Sequence, residues 1–276
     1  MNKLSTEKRV QIINLLVEGN SLRSTTRITG VSINTVTKLL VDIGAACYEY
    51  HNENVHSLNS KRIECDEIWA FCYSKEKNAT EETKAAFGAG DVWTWVGIDA
   101  DSKLVASWLV ADRSPESAEI FMEDVAMRLN NRVQLTTDGL KAYLKAVDNA
   151  FGNDIDYAQL IKMYGGTSKE DGRKYSPAEC TGTKKVRVKG DPDKQLVSTS
   201  YVECQNLTMR MHMRRFTRLT NGFSKKIENH AHAIALHFMY YNFCKIHKTL
   251  RVTPAMEAGL TTRPWEIKDL VALLDA

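Results

Sequence analysis

The chain has 276 residues, 43% of them hydrophobic, and a formal net charge of +3, enough to bury a sizeable core in one main domain with a smaller appendage. No stretch approaches the roughly 20 apolar residues of a membrane span, and the N-terminus lacks the apolar centre of a secretory signal; a cytoplasmic protein without a membrane partner is expected. Cys47, Cys65, Cys72, Cys180, Cys204 and Cys244 form no C-x-x-C pair and no zinc-ligand spacing, so they read as reduced structural thiols.

Residues 5–19 predict a first helix, capped by Ser5 or Thr6 and stopped at Gly19. A short second helix begins at Ser21 and ends at Gly30, and Ser32 caps a third, Ile33 to Asp42. On that third helix Ile33, Val36 and Leu40 share an inner side, leaving Asn34, Thr35 and Lys38 outside, where a recognition helix meets the major groove. Residues 1–46 are thus expected to form an all-α helix-turn-helix unit that binds double-stranded DNA, and the polar stretch 47–60 a linker.

From residue 61 the pattern changes. Strands are expected at Arg62 to Ser74, Trp93 to Ile98 and Leu104 to Val110, the last two joined by a turn at Asp99 to Lys103. A helix from Ser114 to Leu129, a strand at Val133 to Thr137, a helix from Leu140 to Ala150 and a strand at Tyr157 to Met163 follow. Three antiparallel strands and then alternating helices and strands are the order of the ribonuclease H-like fold, an α/β class with a mixed sheet and flanking helices. Residues 164–200, rich in glycine turns around the basic strand Lys185-Val-Arg-Val-Lys, read as an inserted flap of a catalytic domain spanning 61–255, with 256–276 as a C-terminal tail.

Charge is segregated along the chain: residues 64–156 hold 18 acidic against 9 basic side chains, whereas residues 205–251 hold nine basic side chains against Glu228 alone. Three acidic residues fall in suggestive settings. Asp66 lies in the apolar run Ile63 to Tyr73, Asp138 closes Arg-Val-Gln-Leu-Thr-Thr-Asp-Gly, and Glu203 opens a basic helix. Buried carboxylates are costly unless a counter-charge offsets them, and two magnesium ions, or manganese in their place, would do so while serving phosphodiester chemistry. On the helix after Glu203, Asn206, Arg210 and Arg214 share its face and would suit a DNA backbone. Glu64 and Glu67 flank Asp66 as alternative ligands; Asp99 and Asp101 read as turn residues, and His230, His232 and His237 as packed histidines. Trp69, Trp93, Trp95 and Trp108 read mostly as core, with stacking on an unpaired base as the alternative for one of them.

The segment Thr199-Ser-Tyr-Val-Glu-Cys-Gln-Asn-Leu-Thr-Met-Arg-Met, with Arg214-Arg-Phe-Thr-Arg-Leu-Thr-Asn-Gly-Phe-Ser-Lys-Lys and then Tyr241-Asn-Phe, His247, Leu250 and Thr253-Pro-Ala, resembles bacterial DDE transposases, in particular the insertion-sequence-one type and its relatives. Asp66 in Cys-Asp-Glu-Ile-Trp and Asp138 in Thr-Asp-Gly extend the resemblance over nearly the whole chain, although Cys204 stands where Arg would be expected. The resemblance implies a nucleoid-associated bacterial enzyme that binds terminal inverted repeats and cuts and joins DNA as a homo-oligomer. It makes Asp66, Asp138 and Glu203 the metal-binding triad and Arg210 the basic residue two turns beyond. The alternatives are a DNA-binding regulator without catalysis and a nuclease of the same fold that does not join ends.

Overall fold

A computed structural model describes residues 4–165, 180–217 and 220–275. Three serines start the first three helices: Ser5, Ser21 and Ser32 accept the N–H groups of Lys8, Ser24 and Thr35 and so open α1 (Thr6–Val17), α2 (Leu22–Thr29) and α3 (Ile33–Asn54). Gly30, at φ +70°, makes the left-handed turn between α2 and α3. The three expected helices and the tight turn between α2 and α3 are present, with Asn34, Thr35 and Lys38 on the exposed side of α3. Ile33 departs from its expected inward place and is 41% exposed, because the first turn of α3 projects past the core; Leu39 is buried instead.

Helix α3 also runs through most of the segment expected to be a linker. Cys47, His51 and Val55 are buried along one side of it. The His51 ring lies 4.2 Å from that of Trp108, and Arg128 donates to the Val55 carbonyl at 2.8 Å and to Asn52 Oδ1 at 2.7 Å. Burial and the Arg128 charge push His51 down to about 3, so the imidazole is neutral between its partners. The helical period is hidden in the sequence because the inward residues are polar or small and only tertiary partners satisfy them.

The remaining elements build one sheet and its cover: β1 (Arg62–Cys72), α4 (Glu81–Phe87), β2 (Gly90–Asp99), β3 (Val105–Ala111), α5 (Pro115–Arg128), β4 (Gln134–Thr137), α6 (Ala142–Phe151), β5 (Asp156–Tyr164), β6 (Cys180–Lys189), α7 (Ser200–His212), α8 (Ile227–Met239), α9 (Pro254–Glu257) and α10 (Ile267–Ala272). The strand order is β3-β2-β1-β4-β5-β6. Strands β1 to β3 are antiparallel neighbours, while β4 and β5 run parallel to β1. That arrangement is the ribonuclease H-like sheet. The basic strand expected inside a flap is longer than predicted and pairs antiparallel with β5 as a sixth, edge strand; residues 166–179 of that flap lie outside the described residues. The turn after β2 is made as expected by Asp99, whose Oδ1 accepts the Asp101 and Ser102 N–H groups.

Alternation along β1 sends Ile63, Cys65 and Glu67 to one face and Glu64, Asp66 and Ile68 to the other. The first face packs Ile63 and Cys65 with Trp95, Leu135 and Tyr157 under Phe121, Met122, Tyr143 and Val147 of α5 and α6. The second joins Ile68, Val96 and Ile98 to the inner sides of α3, α7 and α8, so the N-terminal helices share a core with the sheet. The segment expected to be a tail carries α10, which buries Leu270 and Val271 and returns to α1, where Arg9 pairs with Asp275 at 3.0 Å.

The crossing of α3 and α8 is tight at Gly44. A Cβ there would stand 2.5 Å from the Cβ and carbonyl oxygen of His232, so alanine must separate the two helices. Gly44→Ala is expected to destabilise the protein by about 1–3 kcal/mol despite alanine's better helix propensity. Chemical denaturation of the two proteins checks this, and an unchanged or raised midpoint contradicts the packing.

Candidate active site

Strand β4 is short. Its pairing with β1 ends at Cys65 opposite Thr137, while β1 continues to Cys72, so the sheet opens beside Asp66. Asp138 follows β4 at that opening, and its Oδ1 accepts the Leu140 N–H at 2.9 Å in a tight Asx turn. Asp138 at the carboxyl end of β4 thus meets Asp66 in the middle of the parallel strand β1, just past the point where their pairing stops.

Helix α7 brings the third carboxylate. Glu64, one pleat before Asp66 on the same face, accepts the Tyr201 N–H at 2.7 Å and the Val202 N–H at 3.1 Å. This caps α7 from outside its own segment, favoured by the partial positive charge of a helix start. One turn further, Asn206 Nδ2 donates to Asp66 Oδ2 at 2.9 Å. The helix is therefore pinned to β1 at two points, and Glu203 between them lines the same cleft of ≈ 840 Å³ as Asp66, Asp138, Asn206 and Arg210.

The three expected ligands share the cleft but not one tight cluster. The carboxylates whose oxygens lie within 4.8 Å of one another are Asp66, Asp138 and Glu67. Glu203 accepts instead from Lys162 Nζ and from the Thr199 hydroxyl. Glu67 is held on the opposite face of β1 by Arg113, whose Nε donates to it at 3.0 Å, while another Arg113 nitrogen reaches Asp138 Oδ2 at 3.7 Å.

Burial first, and the Asp138 charge second, pushes Asp66 up to about 6 and Glu67 up to about 7. Burial likewise raises Glu64 to about 6 against the pull of its two amide donors. Carboxylates crowded at low dielectric resist ionising together. A divalent cation relieves that strain. The donor set fits a hard ion such as magnesium, being all oxygen, and Asn206 Oδ1 is buried at the same place with no hydrogen-bond partner among the described residues. Asp66 and Asp138, with Glu67 beside them and Glu203 across the cleft, are the residues that would hold it.

Arg214 does not continue the stripe of Glu203, Asn206 and Arg210. Helix α7 stops at His212 because Met213 adopts extended backbone, and Arg214 starts a separate 3₁₀ turn. It lines a second cleft with Arg23, Ile33, His212 and Lys225, beside the helix-turn-helix. Asn34, Thr35 and Lys38 are exposed and away from the carboxylates, with Lys38 paired to Asp42. His230 and His237 are packed as expected, both pushed down to about 3 by burial. Trp95 and Trp108 are core, whereas Trp69 and Trp93 are only half-buried. Sequence reasoning missed Lys162, Arg113 and Thr199 at the cleft. A lone lysine on an otherwise apolar strand was the available signal for Lys162; Arg113 and Thr199 sit in turns and gave none.

No protein-family profile matches the chain, and no curated protein does. Among solved structures, a Mos1 transposase paired-end complex with the left transposon end superposes with a TM-score of 0.21 at 11% identity, covering 54% of this chain and 58% of that one. The Mos1 strand transfer complex does so at 0.25 and 11% identity, covering 87% and 76%. The chain thus spans little over half the length of the first of these. Superpositions this loose fix neither family nor activity. No helix among the described residues is long and apolar enough to cross a membrane.

The raised carboxyls make stability pH-dependent with a definite sign. Between their ordinary values, 3.8 for Asp66 and 4.5 for Glu67, and the folded values near 6 and 7, the folded protein binds more protons than the unfolded chain. Stability from these groups is therefore intact below that window and falls as pH rises through it. Asp66→Asn is expected to raise the unfolding midpoint of the metal-free protein at pH above the window and to leave it nearly unchanged below, with magnesium narrowing the gain by stabilising the wild type. Thermal melts with and without chelator decide it; an equal gain at both ends of the range contradicts the assignment.

Proposed function

We propose that this protein is a DNA transposase: it binds the terminal inverted repeats of an element through its helix-turn-helix and cuts and joins DNA at the Asp66, Asp138 and Glu203 cleft. The observation that supports the reading is that three acidic residues, from β1, the end of β4 and α7, far apart in sequence, line one cleft where the two central strands of a ribonuclease H-like sheet part. A regulator that used this domain only to oligomerise would have no reason to crowd carboxylates there at a cost in stability.

Bound magnesium, or manganese, would supply the positive charge that polarises a phosphodiester and activates an attacking hydroxyl. The chain's own residues do the rest. Asp66 presents its oxygens from the middle of β1 and Asp138 from the end of β4, and Asn206 orients Asp66 through its 2.9 Å hydrogen bond. Lys162 pairs with Glu203 at the cleft, and its ammonium would also suit a phosphate oxygen there. Arg210, on the same face of α7 two turns on, lies where the strand leaves the cleft and fits a phosphate oxygen. Hydrolysis and strand transfer differ only in whether water or a 3′-hydroxyl attacks, so one cleft serves both. Holding two ends for joining calls for a homo-oligomer assembled on DNA.

At the other site, Asn34 and Thr35 face the groove and Lys38 the backbone, with Arg214 from the adjacent cleft as a further phosphate contact. Asn34→Ala is expected to cost about 1–3 kcal/mol on the repeat and relax discrimination between repeat and random duplex. Lys38→Ala is expected to weaken both alike and lower the salt slope by about one. Titrations at several salt concentrations separate the two, and unchanged affinity in both variants would remove the helix-turn-helix from the reading.

The catalytic half is tested on a labelled duplex carrying the element's terminal repeat with magnesium. The wild type is expected to nick and join; Asp138→Ala should bind the end yet lose more than the roughly 100-fold that damage to a metal's outer shell already costs. Nicking without joining would favour a nuclease of the same fold, and a variant as active as the wild type would end the triad assignment.

A further inference from the structure

Strand β1 outruns its helical cover. On the face where Ile63 and Cys65 lie beneath α5 and α6, the alternation continues with Trp69 and Phe71, which belong to neither apolar core. Trp93 of β2 is the cross-strand partner of Trp69, and Phe223 stands beyond Phe71, beside the point where Ser224 bridges Cys72. Ring centroids are 5.8 Å apart from Trp69 to Phe71 and 4.8 Å from Phe71 to Phe223. All four rings are half-buried. Trp69, Phe71 and Phe223 pack ring on ring, and Trp93 extends the row across the sheet as the register partner of Trp69.

Cations edge the whole row. Lys75 Nζ lies 5.7 Å from the Trp69 ring centre and 5.9 Å from that of Phe71, Lys225 Nζ is 3.9 Å over Phe223, and the Arg113 guanidinium carbon is 4.6 Å over Trp93. Arg113 is also the link to the cleft, since the same guanidinium bonds Glu67 and approaches Asp138. The row therefore begins at the carboxylates and leads away along β1.

Flat rings with cations beside them match a ligand that has flat faces and a negative backbone. Paired DNA hides its base faces within the stack, so only an unpaired strand offers both. We propose that Trp69, Phe71, Trp93 and Phe223 form a stacking platform for unpaired bases of the strand that leaves the carboxylate cleft, with Lys75 and Lys225 meeting its phosphates. The proposal rests on the nucleic-acid reading of that cleft and adds a substrate form to it: a DNA end that is frayed or single-stranded next to the reacting phosphate. It also accounts for large aromatics left partly exposed on a strand whose inner neighbours are fully covered.

The test compares full-length protein on a blunt repeat duplex, on the same duplex with a short oligothymidine overhang, and on oligothymidine alone. Wild type is expected to prefer the overhang by about tenfold for each base that stacks, and oligothymidine is expected to quench tryptophan fluorescence. Trp69→Leu and Trp93→Leu keep apolar volume but lose the ring system; each should remove the preference and leave blunt-duplex affinity and the denaturation midpoint as they were. Trp69→Phe should restore part of it, and Asp138→Asn should keep all of it. Equal binding of blunt and tailed duplexes by the wild type, or a preference that survives both leucine variants together, overturns the platform while the DNA reading stands. Failure to bind any of the three DNAs overturns both. Preference without cleavage supports the platform and removes the transposase reading alone.

Discussion

The grip of Glu64 on the first turn of α7 is the constraint on which the site depends. Two backbone amides at a helix start need an acceptor, and a buried carboxylate needs donors; each satisfies the other across 137 residues of chain. Once α7 is seated there, the helical period leaves Glu203, Asn206 and Arg210 over the end of β4, and the Asn206 bond to Asp66 sets the rotation of the helix about its axis. Glu64 looks from the sequence like a spare ligand for a metal. It is the fastener that makes the other carboxylates a site.

Charge around the cleft is complementary. Asp66 and Glu67 on β1 have their ionisation resisted by burial and by neighbouring carboxylates, and the cations come from three separate places: Lys162 from β5, Arg113 from the turn after β3 and Arg210 from α7. Glu203 is paired to Lys162 and Glu67 to Arg113, so the cleft stands partly neutralised. That crowding leaves Asp66 and Glu67 reluctant to ionise. Structure and chemistry share one energetic origin, namely carboxylates kept at an opening in the sheet where water alone does not solvate them fully.

The N-terminal helices are not a loose attachment. Helix α3 is long enough to lie across α8 and to reach the knot of His51, Trp108 and Arg128, and α10 closes back on α1. The exposed start of α3 is therefore held in a set relation to the carboxylate cleft. The second cleft lies between that start and the turn carrying Arg214 and is lined by Arg23, Arg214, Arg215 and Lys225.

Local pattern was sufficient for much of this. Capping serines, the turn at Gly30, the period of two in the strands and the order of elements follow from side-chain chemistry within a few residues, and they specified the helix-turn-helix, the ribonuclease H-like sheet and the candidates Asp66, Asp138 and Glu203. What the sequence could not carry is whatever depends on a distant partner. The end of α3 looked like a linker because its buried residues are polar and their partners lie on α5 and β3. Arg214 looked like part of the α7 stripe because periodicity assumes the helix goes on, whereas Met213 ends it. Lys162, Arg113 and the fastening role of Glu64 arise only when strands and helices meet, since a side chain's partner across space leaves no spacing in the chain. The sequence determined which elements form and which residues bear charge; the tertiary structure decided which of those charges face one another, because that depends on where the sheet ends and on how α7 is pinned across it.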